Sequence, residues 1–209
     1  MNVIEIIKEK KLVPVIKIDE LETTVPLLRA LQKGGIKVAE ITYRTACAQE
    51  AIKTAIENFP IMAIGAGTVV NDKQAEQALR LGVKFVVSPG FDEKIALRCK
   101  DNLVPYFGGC VTPTEIMRAM DLGFDIVKFF PAQAMGGLKT IKSLAAPFPS
   151  VKFMPTGGIN LDNLKEYLSF EKVIACGGSW MVKSELIKNR DYEKITKLCE
   201  EAVREVENI

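Results

Sequence analysis

A lysine stands inside an apolar run, Asp125-Ile126-Val127-Lys128-Phe129-Phe130-Pro131, that has the character of a buried strand. Burial disfavours an ammonium relative to the free amine, and a free amine is a nucleophile toward carbonyl carbon. Glu40, in Val38-Ala39-Glu40-Ile41, is its acidic counterpart, because a carboxylate in such surroundings is costly unless paired. The chain contains no histidine. An imidazole base and any histidine metal site are therefore excluded, and proton chemistry falls to carboxylate, lysine, tyrosine, cysteine or water. A lysine that adds to a carbonyl, with a carboxylate that moves protons directly or through water, is the equipment of amine catalysis. A purely structural ion pair between the same two groups is the competing reading.

One pattern of helix end, glycine and strand start occurs at 78–86 and again at 119–127, with a weaker copy through Gly35-Ile36-Lys37-Val38. Aligned on their glycines, Lys37 and Lys84 fall opposite Asp125, at the strand entrance where solvent is near. Lys128 lies deeper, and its counterparts are Val87 and Glu40. Strands are expected over 12–18, 37–42, 61–67, 85–88, 103–107, 125–130, 151–156 and 172–176. Helices are expected over 21–31, 46–58, 72–81, 92–100, from Pro113 onward, 137–144 and 160–168, and along the stripe Ile195, Leu198, Cys199, Ala202, Val203, Val206. Such alternation with short loops implies parallel strands covered by helices. Eight units in 209 residues favour a single (β/α)₈ TIM-barrel domain over 1–209, with an additional N-terminal helix, over an open doubly wound sheet. An open sheet would carry a phosphate-binding glycine loop after its first strand, and Lys17-Ile18-Asp19-Glu20 has none.

In a barrel the reactive groups gather at the C-terminal strand ends. The second strand offers Glu40, Thr42 and Arg44 on one face, and alternate strands share a layer, so strands two and six can aim Glu40 and Lys128 at each other across the axis. Other ends are Gly65-Ala66-Gly67-Thr68, Ser88-Pro89-Gly90, Thr156-Gly157-Gly158 and Gly177-Gly178-Ser179. The two glycine pairs are either plain turns or a phosphate cradle of backbone amides with the Ser179 hydroxyl and a helix N-terminus behind. Arg44 is either a surface arginine or a fork for a substrate carboxylate. Trp180 reads as packing.

Composition bounds the rest. Hydrophobic residues at 48% and charged ones at 26% are ordinary for a soluble globular protein. A net charge of +2 gives no field suited to nucleic acid or a membrane, which leaves small molecules as partners. Five scattered cysteines, never spaced C-x-x-C, point to reduced thiols in a cytoplasmic protein rather than disulfides or zinc. The first residues interleave Glu5 and Lys8 with apolar ones, as in an amphipathic helix and unlike a signal peptide.

The set Glu40-Ile41-Thr42-Tyr43-Arg44-Thr45, Gly65-Ala66-Gly67-Thr68, Ser88-Pro89-Gly90, Lys128-Phe129-Phe130-Pro131-Ala132, Pro155-Thr156-Gly157-Gly158 and Gly177-Gly178-Ser179-Trp180 closely resembles the 2-keto-3-deoxy-6-phosphogluconate aldolases, including bifunctional members that also cleave 4-hydroxy-2-oxoglutarate. The resemblance covers nearly the whole chain. It implies a class I aldolase, a homotrimer of barrels needing no metal or cofactor, in which Lys128 forms the Schiff base and Glu40 is the general acid/base. It further implies that Arg44 and Thr68 hold the carboxylate end and that Pro89 and Phe130 wall the pocket. Thr156, Gly157, Gly158, Gly177, Gly178 and Ser179 would lie on the phosphate side. Cleavage would yield pyruvate and glyceraldehyde 3-phosphate, or glyoxylate from the smaller substrate; the galactonate epimer is an alternative substrate. Three positions depart from the family pattern: Lys17 replaces an arginine of some relatives, Gly108 a proline, and Gln133 a frequent glutamate. A sugar-phosphate isomerase or epimerase on the same barrel would use Glu40 as base without Lys128 as nucleophile. A barrel kept as a scaffold would use neither.

Overall fold

The computed structural model describes residues 2–209. Helix α1 (Val3–Lys10) precedes β1 (Leu12–Ile16), and strands and helices then alternate. The order is α2 (Thr24–Lys33), β2 (Val38–Thr42), α3 (Ala48–Asn58), β3 (Ala63–Gly67), α4 (Asp72–Leu81), β4 (Phe85–Val87), α5 (Glu93–Asp101) and β5 (Tyr106–Phe107). It continues with α6 (Pro113–Asp121), β6 (Ile126–Phe129), α7 (Gly137–Ala145), β7 (Lys152–Pro155), α8 (Leu161–Leu168), β8 (Cys176–Gly178), α9 (Ser184–Lys188) and α10 (Tyr192–Glu207). All paired strands are parallel. One ladder runs β5-β4-β3-β2-β1-β8 and a second joins β6 to β7. Single bridges stitch the two together: Gly109 to Lys128 on one side, Phe153 to Val173 and Thr156 to Gly177 on the other. The strands thereby close into a (β/α)₈ barrel.

Two apolar clusters account for its stability. One fills the layer between strands and helices, and the other, with Val13, Val38, Phe85, Val87, Phe107 and Met154, fills the barrel interior. Burying each such side chain contributes about 1.5–3 kcal/mol. Helix α1 serves the interior cluster: Ile7 is wholly buried in it, with Val3, Ile4 and Ile6 packed alongside. Asn2 starts this helix with a capping box to Glu5.

Several boundaries differ from expectation for identifiable reasons. The fifth strand begins at Tyr106 rather than 103, because Leu103 and Val104 close α5 through N–H bonds to the carbonyls of Lys100 and Cys99. Leu103 accordingly has φ of 56° and a side chain 92% exposed. The first strand stops at Ile16 instead of 18, and the third starts at Ala63 instead of 61, after a turn in which Met62 bonds back to Phe59. The eighth strand is displaced most, to Cys176–Gly178 from 172–176. The segment gains a second neighbour on the way. Lys172 and Ile174 hydrogen-bond Phe153 of β7, whereas Cys176 to Gly178 form the ladder with β1. Gly177 and Gly178 are therefore buried ladder residues, not the turn after the strand that the sequence suggested.

Candidate active site

β6 and β2 place Lys128 and Glu40 face to face inside the barrel, Nζ to Oε1 at 3.7 Å. Their side chains are 6% and 1% exposed. Lys37 is only half-buried, and Lys84 and Asp125 are exposed, so depth along the strand separates Lys128 from its neighbours as the glycine register implied. The Lys128 backbone is held on both sides. Its N–H donates to Gly108 at 3.0 Å and its carbonyl accepts from Cys110 at 2.8 Å, while β7 pairs along the other edge. Neither Glu40 oxygen has a hydrogen-bond partner among the described residues. Buried carboxylate oxygens without partners are rare and point to a ligand or water that bonds them.

Room for that carboxylate comes from β3. A Cβ built on Gly67 would collide with Glu40 Oε1 and Cγ, so only glycine fits opposite the acid. Charge-based reading of the sequence misses Gly67. The signal available was Gly65-Ala66-Gly67 itself, two glycines on one face of a buried strand, a mark of close approach. The next residue, Thr68, has φ of 53°, a conformation that costs about 1–3 kcal/mol for a non-glycine residue and that clusters at functional sites.

Phe130 lies over the amine, with its ring centroid 5.1 Å from Lys128 Nζ. The vacant Cβ side of Gly157 meets the Phe130 ring at 3.3 Å, which joins the loop after β7 to this wall. Gly157 and Gly158 both have positive φ, 98° and 81°. Pro89 reaches the site indirectly: its carbonyl presses on Gly109, the residue bridged to Lys128. Behind Pro89 the Tyr106 hydroxyl accepts from Asp92 N–H at 3.2 Å and donates to the Gly90 carbonyl at 3.3 Å, and burial pushes its pKa up to about 12. Arg44 is exposed beyond the end of β2 and its Nε–H donates to Thr42 Oγ1 at 3.0 Å.

The glycines of β8 have packing reasons. The Thr156 side chain fills the Cβ position of Gly177, and the Trp180 ring fills that of Gly178. Trp180 is buried in the outer cluster, as packing predicts. Thr156 is 5% exposed with an unpartnered hydroxyl. Ser179 is exposed and caps only a turn of 3₁₀ helix, Trp180–Val182, without a side-chain bond to it.

Competing nucleophiles are suppressed. Burial pushes the Cys110 thiol, next to the Lys128 strand, up to about 12 and raises that of Cys176 further. Both are protonated at neutral pH and inert as nucleophiles. An amine and a carboxylate in contact beside Phe130 can add to a carbonyl and transfer protons around it.

Comparison with known proteins agrees with this chemistry. The profile of the KDPG and KHG aldolase family matches residues 3–198. A 2-dehydro-3-deoxy-phosphogluconate aldolase of Treponema pallidum is 41% identical over 204 residues, 98% of this chain and 97% of its own length. The KHG/KDPG aldolase of Escherichia coli K12 is 42% identical over 191 residues, covering 91% and 90%. Among solved structures, the KDPG aldolase of Legionella pneumophila superposes with a TM-score of 0.93 at 40% identity, covering 97% of this chain and 98% of that one. That crystal structure holds pyruvate captured at low pH as a covalent carbinolamine intermediate. With its barrel, its buried lysine–glutamate pair and these full-length relatives, the chain belongs to the KDPG and KHG aldolase family.

Proposed function

We propose that this protein is a class I aldolase that cleaves 2-keto-3-deoxy-6-phosphogluconate reversibly to pyruvate and glyceraldehyde 3-phosphate, and that it also accepts 4-hydroxy-2-oxoglutarate. The observation that carries this reading is the buried Lys128–Glu40 pair, whose carboxylate has no other partner among the described residues. The Lys128 amine attacks the C2 ketone to form a carbinolamine, and loss of water gives the protonated imine. A base, Glu40 directly or through water, removes the C4 hydroxyl proton. The C3–C4 bond then breaks, its electron pair passes into the enamine, and the aldehyde departs. Protonation at C3 by the same group and hydrolysis of the imine release pyruvate and restore the amine. Holding both groups in one pre-set geometry supplies much of the rate, since well-oriented intramolecular reactions reach effective molarities of about 10⁵–10⁸ M.

In this reading Arg44 and Thr68 hold the substrate carboxylate and Pro89 and Phe130 shape the walls. Thr156, Gly157, Gly158 and Ser179 face the phosphate end, with Gly177 and Gly178 setting the spacing of β7 and β8. The five free cysteines fit a cytoplasmic protein, and no helix among the described residues is long and apolar enough to cross a membrane. The family relationship supports a homotrimer, which light scattering on the purified protein would confirm or replace. One domain over 1–209 predicts a single cooperative unfolding transition by circular dichroism and fluorescence alike.

The decisive experiment is intact mass after incubation with pyruvate and borohydride. A reduced pyruvyl adduct mapping to Lys128, and missing from Lys128→Ala, is the expected result. A folded protein that forms no adduct would defeat the Schiff-base mechanism.

A further inference from the structure

Alternation of side chains brings Glu40 and Thr42 to the barrel interior, but it stops short of Arg44. β2 ends at Thr42, and Arg44 donates its backbone N–H to the Thr42 carbonyl at 2.8 Å, a reversal of γ-turn type. The arginine thus leaves from a turn, as a long side chain at an exposed position. Its anchor is the Thr42 hydroxyl, which accepts from Arg44 Nε–H at 3.0 Å. Thr42 is fully buried, and its hydroxyl donates at 2.8 Å to the carbonyl of Ile16 in β1. A hydroxyl has one proton and two lone pairs. With the proton committed to Ile16, Thr42 can offer Arg44 only an acceptor, so the chain of bonds runs in one direction. Fixing the guanidinium at its Nε edge leaves the two terminal nitrogens as a free fork, the end that matches a carboxylate in bidentate fashion. Among the described residues no protein carboxylate lies within ion-pair range of Arg44.

We propose that Thr42 is the positioning residue that aims Arg44 at the carboxylate of the 2-keto acid. The assignment rests on the aldolase reading and extends it. β1, through Ile16, sets the angle of Thr42, and Thr42 sets the angle of the fork. Removing the hydroxyl frees the arginine to wander over rotamers without altering Lys128 or Glu40. The loss falls on binding of the carboxylate and spares the chemistry of the amine.

The test is a comparison of Thr42→Val, Thr42→Ser and Thr42→Cys in two assays, with melting curves for each. Thr42→Val is expected to raise KM for the phosphorylated keto acid about tenfold while kcat stays within about twofold, the scale of one hydrogen bond to a charged group. Thr42→Ser, which keeps the hydroxyl, restores KM, and Thr42→Cys, a weak acceptor, raises KM above the serine variant, which keeps the test standing if the valine variant does not fold. The second assay traps hydroxyacetone, a ketone without a carboxylate, on Lys128 with borohydride. Its rate is expected to be the same in wild type and every Thr42 variant. In an Arg44→Lys background, which lacks the Nε–H, Thr42→Val should add nothing further. Equal slowing of hydroxyacetone trapping would reduce Thr42 to a structural tie between β1 and β2. An unchanged KM, or a full effect persisting with Arg44→Lys, would overturn the proposal. A wild-type protein that fails to trap pyruvate would remove the aldolase reading and this role together. Trapping by wild type with an indifferent Thr42→Val would remove only the role of Thr42.

Discussion

A methyl group at position 67 would occupy the space of the Glu40 carboxylate, so Gly67→Ala displaces the acid without replacing either Lys128 or Glu40. We expect kcat to fall about 10²-fold, as a displacement of roughly 1 Å does, with about 1–3 kcal/mol lost from stability by overpacking. Steady-state rates and urea melts on the same preparation would separate the two effects. Glu40→Gln keeps the volume and removes the carboxylate that we propose moves the proton, and kcat should drop about 10²–10⁴-fold. A variant retaining near-normal turnover would leave Glu40 as a structural partner of Lys128. Both charged residues were legible in the sequence because an ionisable group in an apolar run is an anomaly that burial makes expensive. Gly67 was not, since a glycine declares only that something comes close and never what. The bond from Arg44 to Thr42 was equally hidden, because it depends on the turn that the chain takes after β2.

The strands are joined unevenly. β2 and β3 share five registered pairs, whereas β5 meets β6 through the single bridge of Gly109 to Lys128. Few hydrogen bonds per seam mean cheap local opening, and amide exchange should be faster at Lys128 and Cys110 than at Ile41 or Ala66. Exchange as slow at the seam as in the β2–β3 ladder would show that side-chain packing, not the ladder, holds it. Helix starts were readable where a cap names itself. Thr112 with Glu115 forms a capping box before Pro113, and Thr112→Ala should cost about 1 kcal/mol in a chemical melt. Alternation of strand and helix followed from hydrophobic period with glycine and proline stops, and the barrel from eight such units in 209 residues. The place of β8 did not, because a segment that pairs toward β7 from Lys172 and meets β1 only from Cys176 has no periodic mark where the second neighbour begins.

Over the whole molecule, buried thiols make stability depend on alkaline pH. Burial pushes Cys99, Cys110 and Cys199 up to about 12 from an ordinary 9.0, because a thiolate in the apolar layer lacks solvent. Unfolded thiols ionise near the ordinary value while folded ones resist. Their contribution is complete below pH 9 and is lost as pH climbs toward about 12, by up to about 1.4 kcal/mol per pH unit for each thiol. The urea midpoint should therefore fall steadily above pH 9, and a flat profile would contradict the burial of these groups. Helix α1 has a different consequence. Ile7 and the filled interior close the barrel beneath Lys128, which leaves the strand-end side as the approach to the amine. If Lys128 carries the covalent fragment as proposed, traffic from one side must queue: the fragment bonded to the lysine cannot leave before the one above it. Cleavage should then be strictly last-in, first-out, with pyruvate competing against substrate for the free enzyme and the aldehyde inhibiting in a non-competitive pattern.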